Sequence, residues 1–73
     1  MTTQERYEQI RRLRVRETEL VKILRSQNQM AGDIREAPET RQEYESLAIS
    51  TDDKLKTLRY NIRRVRAGLV IVQ

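Results

Sequence analysis

The sequence predicts an all-α protein, either an antiparallel helical hairpin or three short helices. Three observations carry that expectation. The helix-breaking residues are confined to Gly32, Pro38 and Gly68, which leaves two long segments between them. Apolar residues recur in both segments at three- and four-residue spacings. The remaining positions are dominated by Glu, Gln and Arg, which are good helix formers.

The first helix is expected over about residues 3–31. Ile10, Leu13, Leu20, Leu24 and Ala31 share one face at 3-, 4- and 7-residue spacings. Thr2 or Thr3 can cap its start, with Glu5 in the first turn. Glu8 precedes Arg12 by four residues, the favourable order for an ion pair along a helix. Gly32 offers a C′ position at which a left-handed backbone meets no Cβ clash. Val15, Val21, Ile23 and Met30 fall off the main stripe, as a second apolar strip or as a wider core face.

An acidic loop follows over 32–38, and from Pro38 two readings compete. In one, Pro38 is the first residue of a long second helical region, about 39–67, with Glu39 and Glu43 near its positive end. Tyr44, Ala48, Thr51, Leu55, Leu58, Ile62, Val65 and Leu69 then keep an unbroken 4-3-4-3 spacing, a coiled-coil-like seam. In the other, Arg41–Ile49 is extended and a new helix starts near residue 50, where Ser50, Thr51, Asp52 and Asp53 resemble a capping box. Composition favours helix, because Gln42–Ala48 has no β-branched residue. After Gly68 come Leu69, Val70, Ile71 and Val72, four large aliphatics expected to be buried in this chain's core or against another subunit.

Charge is the most informative property. Residues 1–31 carry +3, residues 32–53 carry −5 and residues 54–73 carry +6, which makes a basic–acidic–basic order out of a net +4. Twelve of the fifteen cations are Arg, whose planar fork suits fixed contacts to carboxylate or phosphate. Lys56, Arg59, Arg63 and Arg66 form a row one residue along from the apolar seam, at the same spacing. Arg11, Arg12, Arg14 and Arg16 cluster on the first helix but spread around it. These eight are the candidate partner-binding residues, facing an acidic surface or phosphate, and Leu69–Val72 is the candidate apolar interface.

Several chemistries are excluded by residue type. Without Cys or His the chain has no disulfide, no thiol nucleophile, no His base and no ordinary zinc ligand set. There is no Gly-rich phosphate loop or nucleophile elbow, so no enzyme activity, cofactor, metal or small-molecule substrate is expected. Glu17, within the apolar stripe, is the carboxylate with the best claim to burial, and an ion pair with Arg14 or a solvent-reaching place at the edge of the stripe accounts for it without chemistry. No apolar run approaches the ~18 residues of a membrane span. The opening residues also lack a signal-peptide core, so a cytoplasmic location, or a virion if phage-encoded, is expected. A chain of this size with a thin core gains from oligomerising. The expected function is therefore a structural or adaptor subunit of a homo-oligomer or larger protein complex. The alternative is a small basic nucleic-acid-binding regulator that uses the same Arg residues.

The two ends also carry a resemblance. Met1-Thr2-Thr3-Gln4-Glu5 leads into the first helix, and Tyr44 with Ala48-Ile49-Ser50-Thr51-Asp52 leads into Lys54-Leu55-Lys56, ahead of an aliphatic tail. This layout is similar to the gpW-type head-completion proteins at the head–tail joint of tailed phages. The resemblance covers about half the chain. It implies an α+β helix–β-hairpin–helix fold and a ring of copies acting as a head–tail connector. Ile34–Ser46, where that hairpin would lie, lacks a glycine turn and strand-type composition.

Overall fold

The computed structural model describes residues 2–68. They form two 29-residue helices, α1 (Thr3–Ala31) and α2 (Pro38–Arg66), joined through residues 32–37 and packed as an antiparallel hairpin. The rod measures 51 × 17 × 15 Å. No strand occurs among the described residues, so the α+β alternative that came with the phage resemblance is not the fold found. Neither helix is long and apolar enough to cross a membrane.

α1 starts where the threonines predict. The Thr2 backbone is extended, and its Oγ1 accepts the Glu5 backbone N–H at 3.1 Å, satisfying one of the free donors at the helix start. The predicted Glu8–Arg12 pair is not made. Both side chains are exposed, where water competes well and such a pair gains little.

At the other end of α1, Gly32 caps the helix but is not left-handed, with φ −94° and ψ −1°. The reversal is built by Asp33 instead. Its Oδ1 accepts the Arg35 backbone N–H at 3.0 Å, and its carbonyl accepts the Glu36 N–H at 3.1 Å. Ala37 is extended, as a residue before proline must be, and Pro38 opens α2 at a position that needs no N–H.

α2 runs unbroken through residues 50–53, which corrects both the three-helix reading and the extended reading of 41–49. The reason lies at Thr51. Its hydroxyl faces the Leu47 carbonyl one turn back at 3.0 Å and the Gln27 Oε1 on α1 at 2.7 Å, so it serves the seam rather than a cap. The helix stops at Arg66, and Gly68 adopts φ +80° while its N–H donates to the Val65 carbonyl at 2.9 Å. A Cβ there would also stand 3.2 Å from the Arg6 Nη2, so both backbone and space favour glycine. Residues 69–73, with the candidate apolar interface Leu69, Val70, Ile71 and Val72, lie outside the described residues.

The core is lopsided. The α2 seam buries Ala48, Thr51, Leu55, Leu58, Ile62 and Val65, with Leu55 1% and Val65 0% exposed. α1 fully buries Leu20 alone, and Leu13, Val21 and Leu24 pack around it. The difference comes from two polar residues on the α1 inner row, Glu17 and Gln27, which interrupt its leucines. The second apolar strip does not exist as a unit. Val21 joins the core, whereas Val15 and Ile23 are exposed about 80° apart around the helix and stand as isolated surface residues.

Candidate functional site

The antiparallel turn decides where the charges go. Gln27 meets Thr51 across the seam and Glu17 meets Arg59, so the two helices run past each other in a fixed register. The turn end beyond Gln27–Thr51, residues 28–50, holds two cations and five acids, for −3. The remainder holds thirteen cations and six acids, for +7. Two basic blocks that are distant in sequence become neighbours, and most of the acidic block is removed to the far end.

One flank of the seam gathers this positive charge into an open groove of about 460 Å³. Lys56, Arg59, Arg63 and Arg66 form one wall, and Arg14 of α1 faces them. The α2 row was legible because it sits one position beyond the buried Leu55, Leu58, Ile62 and Val65. The groove continues along α1 into a second depression of about 330 Å³, shared at Glu17 and Arg59 and lined by Lys22 and Arg25. Seven cations and one carboxylate thus line this stretch, about 15 Å long measured from Lys56 to Arg66.

Glu17 is the anchor of the site. Its side chain is 16% exposed, with Oε1 2.9 Å from the Arg14 Nη1 and Oε2 3.1 Å from the Arg59 Nε. The Arg14 hydrogen bond, helped by Arg59 and opposed by partial burial, holds the Glu17 carboxyl below the usual carboxylate range. Lys56 is paired along α2 with Asp52 at 3.1 Å, which pushes the lysine pKa up. Among the described residues, Lys22, Arg25, Arg63 and Arg66 have no carboxylate partner.

The lowered Glu17 pKa has a sign in stability. The unfolded carboxyl binds its proton more readily than the folded one. The pair's contribution is therefore complete above the ordinary carboxylate pKa and is lost as pH falls through the lower folded value. Glu17→Gln is expected to flatten the stability profile across that acidic window, below about pH 4.5. Urea midpoints at pH 7, 4 and 2.5 check this. A variant that loses stability on acidification as steeply as the parent would show that Glu17 is not linked to folding.

The other predicted cations separate. Arg14 belongs to the groove, and Arg11 sits one helical turn before it on the same flank. Arg12 and Arg16 do not join them. Arg16 pairs with Glu19 at 3.1 Å and lines the opposite flank, where a groove of about 470 Å³ carries Lys54 and Asp53 around a floor of Leu20 and Leu58. That flank is close to neutral. Lys22 and Arg25 were missed in the sequence, although Arg11, Arg14, Thr18, Lys22 and Arg25 keep a 3-4-4-3 spacing along one side of α1. Compared with known protein families, with curated proteins and with solved structures, the chain matches none.

Proposed function

We propose that this chain is a non-enzymatic adaptor subunit of a larger assembly, with two unlike working flanks. The observation that carries the reading is the contrast between the flanks of one seam. One carries a stretch with seven cations against a single carboxylate, and the other is nearly neutral over a leucine floor. The neutral flank suits packing against protein, a second copy or another subunit. The basic flank suits a polyanionic surface.

Stability argues for a partner as well. Among the described residues seven are buried, one of them threonine, which is a thin layer for an independent domain. A place at the head–tail joint of a tailed virion is the most concrete form of the reading, and it rests on the resemblance of the chain's two ends.

Light scattering tests the adaptor reading. The parent is expected to exceed its 8.7 kDa monomer mass at 100 µM or so, and Thr57→Arg, which places a cation in the neutral groove at an exposed site, is expected to return it to monomer with helicity intact. A parent that stays monomeric and soluble at millimolar concentration would sink the assembly role.

A further inference from the structure

We propose that the basic groove holds the phosphate backbone of a nucleic-acid duplex, independently of base sequence. This rests on the reading of that flank as polyanion-binding and names the polyanion. Three features separate the possible occupants. A second copy of this chain neutralises the flank poorly. Glu45, Asp52 and Asp53, the last also bordering the opposite groove, lie farther along it, so with Arg11 the whole flank has eight cations against at most four acids, and two copies face to face would confine an excess of at least eight.

An acidic helix of another protein would need apolar anchors, since interfaces draw most of their affinity from a few buried aromatic or aliphatic contacts. The basic stretch offers none at its surface. Its apolar lining residues are Ile62, which is 2% exposed, and Val21, which packs on the core. Of the exposed hydrophobics, Ile49 borders the acidic continuation of the flank, and none lines either basic depression. What remains is charge alone, which is what phosphate contacts require.

The same lining decides between nucleic-acid forms. Single strands are held by stacking on aromatic rings, and no aromatic side chain lines the basic stretch. Arg and Lys read guanine edges only from inside the major groove, and here they form the walls of an open groove along two packed helices. The ring of Tyr60 is instead engaged by Arg64, whose guanidinium stands 5.5 Å from its centroid. Two facing Arg and Lys rows on rigid helices, each spanning three turns, fit a regular repeat of phosphates along a duplex.

The four cations without a carboxylate partner set the expected salt dependence. Neutralising four phosphates gives a slope of log K against log salt of about −3.6, hence roughly a 150-fold loss between 50 and 200 mM. Fluorescence anisotropy with a labelled 20-base-pair duplex reads this directly, with a single-stranded oligonucleotide and a poly-glutamate peptide as competitors. Arg63→Glu with Arg66→Glu is expected to weaken duplex binding at least tenfold and to reduce the slope by about two. Lys22→Glu with Arg25→Glu, on the opposing wall, should do the same and guards against a folding defect in either variant. Arg16→Glu with Lys54→Glu imposes the same change of net charge on the neutral flank, and should alter affinity less than threefold.

Equal losses in all three pairs would overturn the proposal, because binding would then follow total charge and not the groove. So would tighter binding of the single strand. If poly-glutamate binds and the duplex does not, the duplex assignment falls while the adaptor reading stands. If neither polyanion binds at 50 mM salt, the groove is not a polyanion site, and the adaptor reading is left to its scattering test.

Discussion

Leu55→Ala is expected to remove most of the hairpin's stability. Leu55 is 1% exposed at the middle of the α2 seam, within the cluster that also holds Leu20, Leu58 and Ile62. Truncating such a side chain costs about 2–5 kcal/mol, through lost transfer energy and the cavity left behind. A core in a chain of this size rarely supplies more than about 3–5 kcal/mol. The variant should therefore have an appreciable unfolded population at 25 °C, seen as reduced ellipticity at 222 nm and an early, shallow urea transition. Leu47→Ala is the control. Leu47 lies on the same helix but is 49% exposed, and its truncation should move stability by no more than about 0.5 kcal/mol. Similar losses in the two variants would mean that the seam is not the source of stability.

The second large expectation has the opposite sign. Glu17→Leu combined with Gln27→Leu should stabilise the hairpin by about 2 kcal/mol. Both positions belong to the α1 inner row, so each leucine would bury apolar surface worth about 1.5 kcal/mol or more. Little is orphaned in exchange. Thr51 keeps the Leu47 carbonyl at 3.0 Å, and Arg14 and Arg59 have side chains 43% and 55% exposed, open to water. The cost should be specificity. Gln27–Thr51 and Glu17–Arg59 are the cross-seam polar contacts that distinguish this register from one shifted by a heptad, and a continuous leucine row accepts either. The double variant is expected to melt higher while scattering as a broader distribution of masses. A lower melting temperature would show that the two polar pairs contribute more than the leucines that replace them.

Much of the fold was readable because two kinds of signal agreed. The 4-3-4-3 row from Tyr44 to Val65 named every residue that α2 fully buries, and Pro38 marked the start of that helix. The uncertain point, residues 50–53, resisted because Ser, Thr and Asp compete for backbone groups in any sequence. Only the position of Gln27, 24 residues away, shows that the Thr51 hydroxyl is used across the seam. The Gly32 expectation failed for a similar reason, since the Asp33 carboxylate and carbonyl do locally what a left-handed glycine would have done. Of the site, the α2 row was legible from its offset to the seam. Its facing wall was not, because which side of α1 borders that row depends on the pairing of the two helices. At Glu17 the sequence offers burial, a pair with Arg14 or an edge position without choosing among them, whereas Arg59, 42 residues on, could be added only by the fold.

The separation of +7 from −3 along a 51 Å rod also governs how the molecule travels. The two helix macrodipoles run in opposite directions and largely cancel, so the side chains set the molecular dipole. Any strongly charged surface then exerts a torque on the rod before it exerts much net pull. Rotation is cheap for a body of this size, so encounters with a negative surface would begin with the open end leading and the turn trailing. The acidic turn end, residues 28–50, thereby acts as a tail fin, fixing the angle of arrival without touching whatever is met.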